Sequence, residues 1–234
     1  MRRRAVILAG GKGTRLLPYS TVLPKPLMPV GEYTILEIVI RQLVSYGFAH
    51  ITLTVNHQAD LIKSFFGNGD KWGVFIDYSL ETRPLSTMAP LKFVADLPEK
   101  FLVMNGDILT DLNFEKFYES HTINDLFSIS AYKRDVESNF GVLGINENNL
   151  LINFQEKPVF SFDVSMGIYM LSKPVLEYIP EEKFGFDDLM YLLIKKKLFP
   201  KVIKYSGYWL DIGRPDDYAT ATEVFESRMK DFLQ

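Results

Sequence analysis

Residues Leu8 to Leu16 read LAGGKGTRL, an apolar run that ends in glycines and is followed at once by a threonine and an arginine. Glycines let a backbone take positive φ and come close to an anion, so that main-chain amides donate to phosphate oxygens. Arg15 adds a permanent charge whose fork geometry suits a polyphosphate. Register decides which phosphate loop this is. A Walker loop requires G-x-x-x-x-G-K-[ST], and here Lys12 is followed by Gly13. A dinucleotide fingerprint requires G-x-G-x-x-G, and Leu16 stands where the third glycine belongs. The next apolar run, HITLTV, also leads to Asn56 and His57 rather than to an acidic residue. Neither motif is present. Further on, Lys25 sits between Pro24 and Pro26, which restrict the backbone carrying its ammonium. The alternative for Lys25 is an ordinary solvated position in a proline-rich connector.

Carboxylates stand at two other places where chemistry gathers. KFLVMNGD reads as a buried strand whose end carries Asn105, Gly106 and Asp107, and YWLDIGRPDDY as a strand running through Asp211 into a polar loop. Ligands of open α/β sheets bind at such strand ends. Taken locally, Asp107 equally suits a tight turn, and Asp211 could receive bonds from loop amides. Asp111 reads as a cap or turn residue.

The elements that must position these groups follow from periodicity. Short apolar runs alternate with segments of helical period, which predicts an α/β fold with parallel strands joined by crossover helices. AVILA, HITLTV and GVFIDYS are strands. A helix over TILEIVIRQLVSYG places Ile35, Leu36, Val39, Ile40, Leu43 and Val44 on one face, with Gly47 as its stop. ADLIKSFFGN and STMAPLKFVADL are also helical. From Leu126 the segments LFSISAY, GVLGIN, LLINFQEKP and VSMGIYMLS are consecutive strands, which predicts an antiparallel or mixed extension of the sheet. Helices over Lys173 to Ile179, FDDLMYLLIKKK and Pro215 to Lys230 complete the chain.

Composition narrows the function. The 234 residues can bury roughly 70% of the unfolded surface. A net charge of −3 from 26 basic and 29 acidic residues gives no electrostatic footprint for nucleic acid. The absence of cysteine excludes disulfides, zinc-thiolate sites and thiol nucleophiles, and fits a reducing, cytoplasmic compartment. MRRRAVILAGG begins like a signal peptide, but glycines interrupt its apolar run after Ala9. No window approaches the roughly 18 apolar residues of a membrane span, so no membrane partner is expected. Arg2, Arg3 and Arg4 form either a solvated terminus or a contact for an anionic surface or polyphosphate.

Extended to LAGGKGTRLLPYSTVLPKPLMPV, the opening stretch resembles the sugar-1-phosphate nucleotidyltransferases, whose signature is L-A-G-G-x-G-T-R-L followed by P-K-P-L-x-P-[VI]. VMNGDILTDLNF is similar to that family's metal-binding strand end, FQEKP to its E-K-P motif, SMGIYMLSKPVLEYIP to its N-A-G-I-Y segment and GYWLDIGRPDDY to its W-x-D-[IV]-G-x-P segment. The style of these motifs is nearest to mannose-1-phosphate guanylyltransferases and their heptose relatives, with thymidylyl and uridylyl enzymes next.

The resemblance implies a single Rossmann-like α/β domain, with a mixed, mostly parallel sheet flanked by helices and an antiparallel extension on the acceptor side. The nucleotide part would span about 1–112 and the sugar part about 113–234. No hexapeptide-repeat segment follows, so the β-helix domain of some relatives is not expected. The implied reaction joins an NTP and a sugar-1-phosphate into a nucleotide sugar, for nucleotide-sugar and cell-surface polysaccharide synthesis, and releases pyrophosphate. Such a transfer needs positioning and charge neutralisation rather than a protein nucleophile. The resemblance assigns Arg15, Lys25 and Asp107 to catalysis and Asp107 with Asp211 to Mg²⁺. Around the nucleotide it places Leu8, Ala9, Gly10, Gly11, Gly13, Thr14, Arg15, Glu81, Ser86, Thr87, Asn105 and Gly106. Around the sugar phosphate it places Gly141, Glu156, Lys157, Ser165, Gly167 and Asp211. A homodimer is compatible with it.

Two segments depart from the pattern. PLSTMAPL stands where P-L-G-T-A-G-[PA]-L is usual, so Met88 either fills space beside the base or points into the core. Ser165 and Met166 replace asparagine and alanine near the sugar. Taken locally, EKP is an exposed salt-bridged turn. Other readings are a cytidylyltransferase acting on phosphocholine or a similar alcohol phosphate, and an inactive regulator that binds a nucleotide sugar.

Overall fold

Along β1 (Arg3–Leu8) successive residues take opposite sides of a sheet, Ala5 and Ile7 entering one core cluster and Val6 another. That alternation is the strand's period of two, and both of its faces are apolar because helices cover both. The computed structural model describes residues 3–11, 13–16, 21–56 and 58–233; Arg2 and the Thr14 side chain lie outside that description.

After β1 come a short hairpin, β2 (Pro29–Val30) and β3 (Tyr33–Thr34), then α1 (Ile35–Ser45), β4 (Phe48–Val55), α2 (Ala59–Phe66) and β5 (Phe75–Leu80). β6 (Lys100–Asn105) and β7 (Ile108–Thr110) precede α3 (Phe114–Ser120). Four strands follow, β8 (Phe127–Glu137), β9 (Val142–Ile145), β10 (Leu151–Gln155) and β11 (Val159–Ser172), and then α4 (Phe186–Lys195), β12 (Lys201–Tyr205), β13 (Trp209–Asp211) and α5 (Pro215–Phe232). Among the described residues the main sheet has seven strands in the order β12-β8-β11-β6-β1-β4-β5. β6, β1, β4 and β5 run parallel, as do β12 and β8, while β11 is antiparallel to both its neighbours. The fold is thus the mixed, mostly parallel α/β sheet expected, with antiparallel pairing at β11 and in the two-stranded sheets.

Local chemistry explains the helices. Thr34 caps α1 by accepting from the Glu37 N–H at 3.1 Å. Gly47, at φ +78°, ends it by donating to the Val44 carbonyl. α5 lays Ala221, Phe225 and Phe232 over Leu16, Met28, Leu109 and Ile212. A single helix thereby holds the loop after Lys25 against β7 and β13.

Three expectations change. STMAPLKFVADL forms only a short 3₁₀ helix, Ala89–Phe93, because Pro90 lacks an N–H and Val94 turns extended. The segment Lys173–Tyr178 is likewise 3₁₀ rather than α. Arg3 and Arg4 are neither solvated nor aimed at a surface ligand. Arg4 is 4% exposed, and its guanidinium donates to Thr52 Oγ1 and to the carbonyls of Ala95 and Asp96. Arg3 donates to the Tyr46 carbonyl and to Glu115. β7, α3 and the edge strand β12 were not foreseen.

Beyond the core, β8 and β11 continue as a pair from Lys133↔Asp163 out to Glu137↔Val159, where every residue is exposed. The hairpin of β9 and β10 stands beside this arm as a separate two-stranded sheet. Among the described residues no helix is long and apolar enough to cross a membrane.

Candidate active site

The two carboxylates singled out in the sequence meet because β7 and β13 pair antiparallel, with Asp211 opposite Ile108. The Ile212 N–H donates to the Asp107 carbonyl at 3.0 Å, and the Gly213 N–H folds back on the Asp211 carbonyl at 2.9 Å. Gly106 brings this pair to the glycine loop. Its N–H donates to the Leu8 carbonyl, and a Cβ there would lie 3.2 Å from Ile7 and 3.3 Å from the Leu8 oxygen.

Lys25 completes the group. It opens a 3₁₀ turn between two prolines, is 7% exposed, and forms an ion pair with Asp107 Oδ2. The solvated reading of this lysine is therefore wrong: its loop is packed under α1 and α5, which leaves the ammonium facing a carboxylate. Asp107 Oδ1 is buried and has no hydrogen-bond partner, an orphan acceptor of the kind that marks an absent cation or donor. Burial and the nearby Asp107 charge raise the pKa of Asp211, against the opposing pull of Lys25 and Arg15. Two carboxylates that repel in a half-buried site, one with a bare oxygen, suit a hard divalent ion that keeps several waters. Among the described residues no cluster of three or more metal-ligating side chains occurs, so these two aspartates would hold such an ion with few other protein ligands.

On one side of the aspartates lies a cavity of ≈ 370 Å³ that brings together Leu8, Gly10, Gly11, Glu81, Ser86, Thr87, Asn105 and Asp107. Gly10 is fixed by space: a Cβ would sit 2.7 Å from Glu81 Oε1 and 3.2 Å from Asn56 Nδ2. Gly11 has nothing within 4 Å and opens to the cavity, whereas Gly13 takes φ +60°. Ala9 is buried, and its N–H donates to the Thr54 carbonyl. Burial raises the pKa of Glu81, against a hydrogen bond from the Leu85 backbone. Met88 is fully buried in the core, so Ser86, at φ +68°, and Thr87 face the cavity instead. The Thr87 hydroxyl accepts from the Phe186 N–H at the start of α4, which ties the altered loop to that helix.

On the other side a cavity of ≈ 580 Å³ holds Arg15, Asp211, Trp209 and Tyr132, with Arg134 and Arg214. Trp209 Nε1 donates to the Met166 carbonyl at 2.9 Å, and Met166 itself is buried. The β8–β11 pairing shifts register between Ser165 and Tyr169, and this irregularity re-aims the strand beside the site. Within it Gly167, at φ +73°, lies so close to Asn105 that a Cβ would approach its Nδ2 to 2.6 Å. The Ser165 hydroxyl accepts from the Gly167 N–H and donates to Tyr169.

Gly141, Glu156 and Lys157 line neither cavity and stand on the arm. A Cβ at Gly141 would meet the Phe154 ring and lie 3.2 Å from Glu156 Oε2, which puts these residues side by side. Lys157 takes φ +43°, unusual for a residue with a side chain. Asp111 is more than a cap: it accepts from Tyr205, from the Tyr208 N–H and from Arg228, and so joins β12, β13 and α5. Burial raises its carboxyl, but these donors outweigh burial and hold it below its ordinary pKa. Asn56, Arg134 and Arg214 escaped sequence reading. For Asn56 the signal was its place at a strand's carboxyl end.

Residues 4–228 match the model of the nucleotidyl transferase family. The chain belongs to that family. It is 32% identical over 240 residues to mannose-1-phosphate guanyltransferase of Kluyveromyces lactis, covering 95% of this chain and 64% of that protein. It is 31% identical over 248 residues to UTP–glucose-1-phosphate uridylyltransferase of Synechocystis sp., covering 96% and 64%. This nucleotidyl transferase chain thus spans less than two thirds of the length of these curated relatives. Among solved structures, HddC from Yersinia pseudotuberculosis superimposes with a TM-score of 0.74 at 30% identity, covering 95% of this chain and 99% of that one. The same protein complexed with GMP-PN gives 0.73 at 30% identity and the same coverage.

Proposed function

We propose that this nucleotidyl transferase joins a nucleoside triphosphate to a sugar-1-phosphate and releases pyrophosphate, with GTP as donor and a mannose- or heptose-type 1-phosphate as acceptor. The observation that carries the reading is the convergence of Arg15, Lys25, Asp107 and Asp211 between two cavities. An oxygen of the acceptor phosphate attacks the α-phosphorus, the bond to the β-phosphate oxygen breaks, and the charge grows where these cations stand. Amides of the glycine loop hold the triphosphate, and Arg15 balances its outer charge. Lys25 exchanges part of its contact with Asp107 for the α-phosphate and the departing pyrophosphate. Asp107 and Asp211 would hold Mg²⁺, which when bound neutralises phosphate charge and orients the triphosphate. Glu156 accepts from sugar hydroxyls, and Lys157 meets the incoming phosphate.

The preference for GTP rests on Glu81. Guanine presents adjacent N–H donors on one edge, and a carboxylate in the base cavity can accept from both. Relatives named mannose-1-phosphate guanyltransferase and the neighbour solved with GMP-PN support this choice. The uridylyltransferase relative keeps UTP as the second reading. Four triphosphates screened against several sugar-1-phosphates and phosphocholine, with pyrophosphate release as the readout, test the proposal. GTP with a hexose or heptose 1-phosphate should turn over, and chelation should stop it. Release with CTP and phosphocholine alone would reverse the assignment, and tight nucleotide-sugar binding without any turnover would point to a regulator.

A further inference from the structure

The cavity beyond the aspartates carries more positive charge than one transferring phosphate explains. Tyr132, Arg134 and Val136 alternate along β8 onto one face, and all three line the cavity. Arg214 enters from the residue preceding α5. Among the described residues neither guanidinium has an ion-pair or hydrogen-bond partner. Asp217 shares the cavity but is turned toward the main chain, where it accepts from the Arg214 N–H at 2.8 Å. The reacting phosphates already have cations of their own in Lys25, beside Asp107, and Arg15, beside Asp211. Tyr132 and Trp209 line the same cavity, ring centroids 5.5 Å apart and inclined by 42°, an apolar wall of the kind that receives a sugar face.

We propose that Arg134 and Arg214 form a subsite for a second acidic group, a carboxylate or a phosphoryl group, borne by the sugar of the acceptor. Among hexose- and heptose-type acceptors, the preferred one is then a sugar-1-phosphate that bears a further negative charge. Arginine forks suit both groups because each offers paired oxygens. A position on β8, part of the antiparallel extension, fits an acceptor group better than the outer phosphates of the donor, which the glycine loop would hold from the opposite side. This inference deepens the function proposed above and rests on it.

The test compares a hexose 1-phosphate, the corresponding hexuronic acid 1-phosphate and the hexose 1,6-bisphosphate, in the unaltered protein and in R134Q, R214Q and the double variant. An acidic acceptor should exceed the neutral one in kcat/KM by about 10- to 100-fold, and that ratio should fall to near one in the double variant. Equal kcat/KM for all three acceptors in the unaltered protein, or a ratio that survives in the double variant, overturns the subsite. So does a double variant whose defect is a raised KM for pyrophosphate in the reverse reaction, because the arginines then serve the leaving group. Calorimetric binding of the 1,6-bisphosphate against the 1-phosphate reads the subsite without turnover. If no acceptor reacts, the proposed reaction fails, while a binding preference that the double variant abolishes still supports the subsite and its absence overturns it. Both arginines are exposed, and an unchanged Tm confirms that the variants fold.

Discussion

β1 and β6 are buried on both faces, Leu102 and Met104 entering one core cluster and Phe101 and Val103 the other. The outer parts of β8 and β11 also carry large apolar side chains, yet Phe160 and Phe162 there are 41% and 54% exposed, and Phe154 on β10 is 55% exposed. The same pattern of alternating apolar residues thus ends in two different environments. In the first region, close packing fixes the strand ends that hold Asp107, and closely packed interiors tolerate little displacement. In the arm, Gly141, Glu156 and Lys157 are carried by a two-stranded sheet and a strand pair without a helix over them, a construction of marginal intrinsic stability. On the function proposed above, donor-side chemistry would be built on rigid ground and acceptor-side contacts on ground that can adjust.

The strongest way to break this contrast is to disturb the rigid side. D107N removes the partner of a buried lysine and one of two carboxylates, and should lower kcat for pyrophosphate release by about 10³-fold or more. Retention of activity within tenfold would remove Asp107 from the chemistry. The variant should also lose thermal stability, because Lys25 keeps its burial and loses its compensating charge.

Glu81 sharpens the comparison by separating base choice from chemistry. E81Q keeps the size of the side chain but offers one acceptor oxygen and a donor in place of two acceptors. Preference for GTP over UTP should drop about 10- to 100-fold, read as the ratio of kcat/KM values. An unchanged ratio would mean that Glu81 serves only to hold the Leu85 backbone and crowd Gly10.

On the arm the effects should be smaller and confined. K157A should raise KM for the sugar-1-phosphate about tenfold while leaving that for the triphosphate unchanged. Because Lys157 is exposed and held at positive φ, stability should move by no more than about 0.5 kcal/mol. A rise in both KM values would show that the arm and the donor cavity move together, contrary to the contrast drawn here.

The same division governs what could be read in advance. The glycine loop, Lys25, Asp107 and Asp211 could be singled out because each lies in a short run that resembles a family motif. Taken locally, Lys25 also suited a solvated loop and the aspartates a turn or a loop-amide contact. Most of the helices and strands were legible because their apolar periods are long. Arg134 was invisible because its meaning depends on which face of β8 turns toward Trp209, a matter of register between distant strands. Asp111 was misread for a related reason, since its donors Tyr205, Tyr208 and Arg228 lie about a hundred residues away. The 3₁₀ segments were taken for α-helix because apolar spacing does not separate the two: Pro90 stands where an α-helix from Ser86 would need its N–H, and the Ile179 N–H bonds three residues back to Leu176.

The effect expected to reach activity least lies at the root of the arm, where it is read in stability alone. His121, 1% exposed, contacts the Ser128 hydroxyl at 2.7 Å and the Ser172 hydroxyl at 3.0 Å, and so pins the loop after α3 to the start of β8 and the end of β11. Burial lowers its pKa to about 4, with Lys100 and Lys201 adding to the effect and Asp125 opposing it. The imidazole is neutral in the fold and takes a proton near pH 6.5 once unfolded. Unfolding therefore binds a proton between these values, and stability is complete above about 6.5 and falls as the pH drops toward 4. A displacement of this size corresponds to roughly 2–3 kcal/mol across that window. Urea titrations at intervals from pH 7 to pH 4 should show this loss, and H121Q, less stable at neutral pH, should show a shallower slope. Equal slopes in the two proteins would remove His121 as the source of the acid sensitivity between pH 7 and pH 4, a window that lies above the one set by Asp125. Burial raises that pKa, but bonds from Thr122 and Lys201 outweigh burial and hold it at about 2. Stability from Asp125 is present above about 3.8 and fades only as the pH falls through 2, so the two groups act in separate windows and the same series carried on below pH 4 distinguishes them.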